Sequence, residues 1–249
     1  MRDLMSNGML ILFAGPDSSH VPMPGPISIP TSLPSRISHV VWDWNGTLLD
    51  DAWLCVEVMS ALLDRHGLPL IDLERYARIF RFPVVDYYRE LGFDFEVTPF
   101  EIVGTEFIEG YAEAEHRCGL REGAMGAIDG VFSLGLTQSV LSASEKRRLV
   151  SQATRLGVAD YFDSLVALDD HYAGSKVEVG RLWLEESGLQ PSRVLMVGDT
   201  DHDAEVARCL GVGCVLVFSG HQCRDRLAAT GLPVLDSISQ IVEGLGRAA

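Results

Sequence analysis

The sequence predicts an α/β fold in which a doubly wound parallel sheet carries a small α-helical cap domain. The first observation is that short apolar runs alternate with helical patterns from Ile37 towards the C-terminus. Such alternation is typical of right-handed strand–helix–strand crossovers, which build a parallel sheet. The second observation is that residues 51–119 show helical patterns and no convincing strand. This break in the rhythm indicates a helical insertion directly after the first strand.

Six short apolar runs are predicted to form the strands of the sheet. The first, residues 37–42, is rich in β-branched side chains, as a buried strand is. The others are residues 138–141, 164–168, 194–197, 214–218 and 234–235. Helical patterns lie at residues 124–134, 145–156, 175–186, 203–210 and 222–229. This order implies that helices cover both faces of the sheet.

The chain is predicted to divide into three parts. Residues 1–36 are interpreted as a flexible proline-rich extension, because proline blocks helix formation and removes an amide donor. The alternative is an arm that docks a partner or covers the cap. The prolines concerned are Pro22, Pro24, Pro26, Pro30 and Pro34. Residues 37–50 and 120–249 are predicted to form the core domain. Residues 51–119 are predicted to form the cap.

Composition excludes several classes of partner. The chain has 249 residues, with 20 basic and 35 acidic residues and a net charge of −15. This balance argues against binding to nucleic acid or to an anionic membrane surface, both of which need basic residues. The five cysteines form no Cys-x-x-Cys pair, which favours reduced thiols in a cytoplasmic protein. We expect a monomer or a homodimer.

Polar residues stand where the predicted strands end. Asp43 follows the first strand, Ser142 the second and Asp199 the fourth, while Lys176 opens a helix. In a doubly wound sheet the carboxyl ends of the strands converge on one crevice. Each residue alone has a plainer interpretation, such as a helix cap or a solvated lysine. Their joint order predicts a site.

These residue types suit phosphoryl transfer. A carboxylate can attack phosphorus and form an aspartyl-phosphate. Asp43 and Asp199 together can hold Mg²⁺, which prefers oxygen ligands. Lys176 adds a positive charge, Ser142 adds a hydroxyl donor, and backbone amides around Asn45 add further donors.

Two segments resemble known motifs. The segment Asp43-Trp44-Asn45-Gly46-Thr47-Leu48 resembles the first motif of haloacid dehalogenase (HAD) superfamily phosphatases, Asp-x-Asp-Gly-Thr-Leu. The segment from Gly198 to Asp203 is similar to that of the phosphoglycolate phosphatase branch, as is a helical cap carrying Phe82-Pro83. The resemblance covers residues 38–246 and implies a HAD-like Rossmannoid core.

The resemblance also implies roles for individual residues. Asp43 would be the nucleophile, and Asp199 would bind the metal directly together with Asp43 and the backbone carbonyl of Asn45. Asp203 would act on the metal through water or by holding Lys176. The residues expected to bind the phosphoryl group are Asn45, Gly46, Ser142, Ala143 and Lys176. Apart from the resemblance, the position of Arg78 and Arg81 near Phe82-Pro83 in the cap leads us to expect that they reach a carboxylate of the substrate, with ordinary surface arginines as the alternative.

Asn45 departs from the family pattern. It stands where these phosphatases carry the aspartate that protonates the leaving oxygen and later activates water, and an amide can do neither. The expected function is a Mg²⁺-dependent phosphatase acting on a small, phosphoglycolate-like metabolite through an aspartyl-phosphate. The alternatives are a weakened phosphometabolite-binding or sensor protein, and a phosphotransferase or mutase.

Overall fold

The computed structural model describes residues 37–168, 175–218 and 220–248. Its centre is a six-stranded parallel sheet with the strand order β3-β2-β1-β4-β5-β6. The strands are β1 His39–Trp42, β2 Thr137–Glu145, β3 Ser164–Leu168, β4 Val194–Gly198, β5 Gly213–Val217 and β6 Val234–Leu235. The predicted doubly wound α/β fold is confirmed. The predicted extension 1–36 lies outside the described residues.

The helices are numbered in chain order. The first four are α1 Ala52–Arg65, α2 Leu73–Ile79, α3 Val84–Leu91 and α4 Phe100–Ala114. The others are α5 Ala124–Ser133, α6 Lys146–Arg155, α7 Lys176–Ser187, α8 Asp201–Leu210, α9 Arg224–Ala228 and α10 Gln240–Ala248. None of these helices combines the length and the apolar character needed to cross a bilayer.

Alternating side chains of β1 build the two layers of the core. Val40 and Trp42 pack in one apolar cluster, with side chains of α5, α6 and α10. Val41 packs in the other cluster, with side chains of α7 and α8. All four residues of β1 are buried, because β2 and β4 pair on either side of it. Asp43 therefore emerges between the ends of two neighbouring strands.

A helical insertion, α1 to α4, separates β1 from α5. It contains no strand, as the sequence predicts. Its interior is rich in aromatic side chains that contact one another edge to face, as aromatic rings prefer. Tyr87 makes such contacts with Tyr76, Phe80 and Tyr88.

Several element boundaries differ from the sequence prediction, and two of the differences bear on the site. β2 continues to Glu145, and its pairing with β3 shifts register between Leu141 and Glu145, so Ser142 lies inside the irregular end of the strand. Helix α8 begins at Asp201 because the hydroxyl of Thr200 accepts from the amide of Asp203 at 3.3 Å in a capping box.

Candidate active site

The carboxyl ends of the strands and the helical insertion enclose a cavity of about 120 Å³. The cavity gathers most of the residues predicted for the site, although they are distant in sequence. Those on its wall are Asp43, Asn45, Ser142, Ala143, Lys176, Asp199 and Asp203.

Lys176 links two of the acidic groups. It is the first residue of α7, is buried, and donates from Nζ to Asp43 Oδ1 and, at 2.7 Å, to Asp203 Oδ1. The charges of Asp203 and Asp43 raise the pKa of Lys176 although burial opposes them, so the amine stays protonated. Burial outweighs the charge of Lys176 at Asp43 and raises the pKa of that carboxyl to about 8.

Three carboxylates are crowded together. Oxygens of Asp43, Asp199 and Asp203 all lie within 4.8 Å of one another. Burial raises the pKa of Asp199 to about 6. At Asp203 burial is overcome by the charge and hydrogen bond of Lys176, which keep the pKa of that carboxyl below its ordinary value. A buried excess of negative charge with oxygen donors fits a hard divalent cation.

Asp203 is already fully engaged within the chain. Beyond Lys176, its Oδ2 accepts from the hydroxyl of Thr200 at 2.7 Å and from the amides of Thr200 and Asp199 at 3.0 and 3.2 Å. This arrangement suits a residue that holds Lys176 and the start of α8. Asp199 has fewer partners, with Thr47 Oγ1 donating to Oδ1 at 3.1 Å and the amide of His221 donating to Oδ2.

The side chain of Asn45 is fixed by hydrogen bonds. Its Oδ1 accepts from the hydroxyl of Ser144 at 2.6 Å. Its Nδ2 donates to Asp51 Oδ2 at 2.7 Å and to the hydroxyl of Tyr111 at 3.3 Å. Because a carboxylate only accepts, Asp51 requires the NH₂ side of the amide.

Asp51 is the centre of this buried network. It accepts from the amide of Gly46 at 2.8 Å, from Tyr111 at 2.7 Å and from Asn45. His221 Nε2 lies 3.3 Å from Asp51 Oδ1. Burial alone would lower the pKa of His221, but the charge of Asp51 outweighs it and raises that pKa to about 9. A protonated imidazole thus faces an ionised carboxylate, whose own pKa is lowered by His221 against the effect of burial.

Gly46 allows the close approach of two site residues. Its φ is +77°, and a Cβ there would lie 2.3 Å from Asp199 Oδ2 and 2.4 Å from His221 Cδ2, so a larger residue cannot fit. Its amide donates to Leu49 O at 3.0 Å as well as to Asp51. The amide predicted to bind phosphate is therefore engaged within the loop.

Arg78 and Arg81 are absent from the wall of the cavity as the described residues define it. Arg78 is exposed and pairs with Glu74 at 2.6 Å. Arg81 pairs with Glu90. Their contact with a substrate stays a prediction.

Sequence reasoning missed the residues that surround Asn45. From the sequence, Asp51 is placed only at the boundary of the predicted cap, and no role is assigned to His221. Their positions did carry a signal, because Asp51 lies just beyond the first motif and His221 just beyond β5. Tyr111 and Ser144 carry no comparable signal in the sequence.

Comparisons with known proteins found related sequences and structures. The sequence profile of haloacid dehalogenase-like hydrolases matches residues 40–217. The chain is 28% identical over 225 residues to the N-acetylmuramic acid 6-phosphate phosphatase of Pseudomonas aeruginosa, covering 86% of this chain and 96% of the relative. It is 27% identical over 209 residues to the phosphoglycolate phosphatase of Chromobacterium violaceum, covering 78% and 90%.

The fold has close counterparts among solved structures. A predicted phosphatase from Clostridium acetobutylicum superposes with a TM-score of 0.71 at 18% identity, covering 85% of this chain and 99% of that chain. At this level of identity the likeness concerns the fold alone. Because the family profile spans most of the sequence and the predicted motif residues meet in one cavity, the chain belongs to the haloacid dehalogenase-like hydrolase family.

Proposed function

We propose that this protein is a Mg²⁺-dependent phosphatase that hydrolyses a small phosphorylated metabolite through an aspartyl-phosphate on Asp43. The observation that carries the proposal is the buried contact of Asp43 with Lys176 at the wall of a cavity shared with Asp199. The names of the two relatives, both phosphatases of small phosphorylated compounds, support the same class of reaction.

Asp43 is proposed to attack phosphorus. Lys176 donates to Oδ1, which leaves Oδ2 as the attacking oxygen. The bond from phosphorus to the ester oxygen breaks, and its electron pair leaves with that oxygen. Water then attacks phosphorus, which frees the carboxylate of Asp43 and releases phosphate. Ser142, the backbone of Ala143 and Lys176 are proposed to hold the phosphoryl oxygens.

The acidic cluster is proposed to hold Mg²⁺. Asp43, Asp199 and the backbone carbonyl of Asn45 would be the ligands, while Asp203 would act by holding Lys176. The cation offsets the negative charge of the phosphoryl group when bound. Its presence would also lower the raised pKa values of Asp43 and Asp199, since an opposite charge favours the ionised form.

Proton transfer is the step that Asn45 cannot perform. Its amide carries no titratable proton and is held by Ser144 and Asp51. General acid–base catalysis supplies about 10²–10⁴-fold in rate. Without it, the contributions of positioning and electrostatic stabilisation to the rate remain. His202, which lies on the wall of the cavity, is the first candidate for the missing proton donor. A phosphotransferase or mutase would need the same proton transfer and is not favoured by Asn45.

The helical insertion is proposed to be a cap domain, residues 51–119, over a core of residues 37–50 and 120–249. Tyr76 of α2 contacts His221 Nδ1 at 2.5 Å. The amide of Cys223 donates to Ala77 O at 2.9 Å, and Gln222 Nε2 donates to Phe80 O at 3.1 Å. These contacts hold the insertion over the cavity, where closure excludes water from the reaction.

The environment of this enzyme is also a proposal. All five cysteines are free thiols, which favours a reducing compartment such as the cytoplasm. With a net charge of −15, the partner is proposed to be a small phosphorylated molecule held by a local cation. A monomer or homodimer is proposed.

A second candidate function is a phosphometabolite-binding or sensor protein. The observation that favours it is the fully engaged amide of Asn45. The buried contact between Asp43 and Lys176 argues against it, because a binding protein needs no nucleophile.

The direct test is phosphate release from a panel of phosphorylated metabolites, with Mg²⁺ and with EDTA. We expect turnover with Mg²⁺ only, and its loss in Asp43→Asn. Asp129→Asn, an exposed aspartate of α5, is the matched control and keeps full activity. Binding of substrate without turnover in the wild type would establish the second candidate instead.

A further inference from the structure

The part of the cavity formed by the helical insertion is apolar and aromatic. We call this part the aromatic chamber, and its wall includes Met59, Tyr76, Phe80, Val84, Tyr87 and Phe107. Met59 and Val84 are buried, and Tyr76 and Tyr87 contact each other edge to face. A surface of this kind favours apolar groups and faces of rings over charged groups.

The cations on the described wall are each paired with an acid of the chain. Lys176 binds Asp43 and Asp203, and His221 faces Asp51 at 3.3 Å. Arg148 pairs with Glu115 at 2.6 Å, and the imidazole of His202 lies 3.4 Å from Glu205. A second anionic group of a substrate would therefore enter an apolar chamber without a counter-charge of its own.

The volume of the cavity limits the size of the substrate. A water-sized group needs about 10–15 Å³ by the same measure, so 120 Å³ holds roughly eight to twelve such groups. A phosphoryl group takes four of them. What remains fits one six-membered ring or a short chain.

We propose that the alcohol portion of the substrate is a neutral ring or short apolar chain. A substrate whose second group is a carboxylate, such as phosphoglycolate, is disfavoured. The inference rests on the proposed phosphatase function and names the substrate class of the same site. It differs from the expectation that Arg78 or Arg81 binds a substrate carboxylate.

Inhibition by phosphonates tests this inference without the effect of the leaving group. Benzylphosphonate and 3-phosphonopropionate would be compared as competitive inhibitors of acetyl phosphate hydrolysis, whose small acyl group does not depend on the aromatic chamber. We expect benzylphosphonate to bind at least tenfold more tightly. Equal binding, or tighter binding of 3-phosphonopropionate, would overturn the proposal.

A charge-introducing variant tests the sign of the preference, with thermal melting to show that the variant is folded. Val84→Arg places a cation on the apolar wall and is expected to invert the preference towards 3-phosphonopropionate. If the wild type fails to hydrolyse acetyl phosphate, the proposed function fails. Calorimetric binding of the two phosphonates then still decides the substrate class.

Discussion

Asn45 and Asp51 are joined by a hydrogen bond in which Asn45 Nδ2 donates to Asp51 Oδ2 at 2.7 Å. An aspartate at position 45 would place two carboxylates at this distance in a buried site. Like charges so close cannot both ionise, so one would hold a proton. The amide of Asn45 is thus explained by its neighbour, although the family motif has an acid there.

We expect Asn45→Asp alone to gain little turnover and to lose stability. In the double variant Asn45→Asp/Asp51→Asn the hydrogen bond is reversed in direction and the carboxylate stands at position 45. We expect the double variant to exceed the single variant in kcat, by up to the ~10²–10⁴-fold that general acid–base catalysis supplies. The measurement is kcat with Mg²⁺ and thermal melting of each variant. A single variant that is both faster and as stable as the wild type would contradict the pairing.

The ion pair of His221 and Asp51 predicts a dependence of stability on pH. The folded pKa of His221 is raised from its ordinary 6.5 to about 9. A raised pKa gives stability that is fully present below pH 6.5 and lost as pH rises through 9. The contribution is at most about 3 kcal/mol, from 1.36 kcal/mol for each pH unit.

The measurement is urea unfolding at pH 6 and pH 9.5, in EDTA, for the wild type and His221→Gln. We expect the wild type to lose more free energy of unfolding over this range than the variant does. The difference between the two proteins reports the imidazole together with its coupling to Asp51, Asp199 and Asp43. Equal losses would show that the imidazole is not charged at neutral pH.

At the scale of elements, the site depends on where strands end and helices begin. β1 supplies Asp43, the irregular end of β2 supplies Ser142, and the first turn of α7 supplies Lys176. The loop after β5 supplies His221 and contacts α2 through Tyr76. This loop therefore couples the core to the helical insertion.

We expect Tyr76→Phe to loosen α2. The change removes the hydroxyl that contacts His221 Nδ1, and a buried ring nitrogen without its partner costs about 1–3 kcal/mol. Hydrogen–deuterium exchange of α2 and of residues 220–223 is expected to rise, while exchange in β1 and β4 stays the same. The control is Tyr161→Phe. Unchanged exchange in α2 would mean that the packing of aromatic rings alone holds the insertion in place.

Strands and helices were predictable because their apolar periodicity survives in the sequence. β1 and β4 are buried on both faces and appear as continuous apolar runs. The end of β2 was missed because residues 142–144 are small, residue 145 is a glutamate, and they continue the strand only through a register shift against β3. A shift of this kind depends on the neighbouring strand and not on local pattern.

At the scale of the whole molecule, the sequence predicted which residues meet but not how they are bonded. The convergence of Asp43, Lys176 and Asp199 follows from the topology of a parallel sheet. The network around Asp51 could not be predicted, because it joins side chains of the first loop, α4 and the loop after β5, whose packing is tertiary. Likewise, the aromatic chamber could not be predicted, because in the sequence its residues have the pattern of an ordinary hydrophobic core.

The net charge of the molecule and the acidic groups of its site both oppose the binding of an anionic substrate. A protein with a net charge of −15 repels an anionic substrate at long range. The buried acids at the cavity add to that repulsion unless Lys176 and a cation offset it. We therefore regard the metal and Lys176 as the local conditions for binding a phosphate ester.

Covalent catalysis by Asp43 is the step on which the proposed mechanism depends, and trapping the phosphoenzyme tests it. The wild type, checked for deamidation of Asn45, would be mixed with Mg²⁺ and acetyl phosphate, quenched in acid within its first turnovers and mapped by peptide mass spectrometry. Because no acid–base group stands at position 45, we expect the phosphoenzyme to accumulate on the peptide that contains Asp43. Asp43→Asn should carry no phosphate there. Steady turnover with phosphate on another residue, or turnover that survives in Asp43→Asn, would contradict nucleophilic catalysis by Asp43.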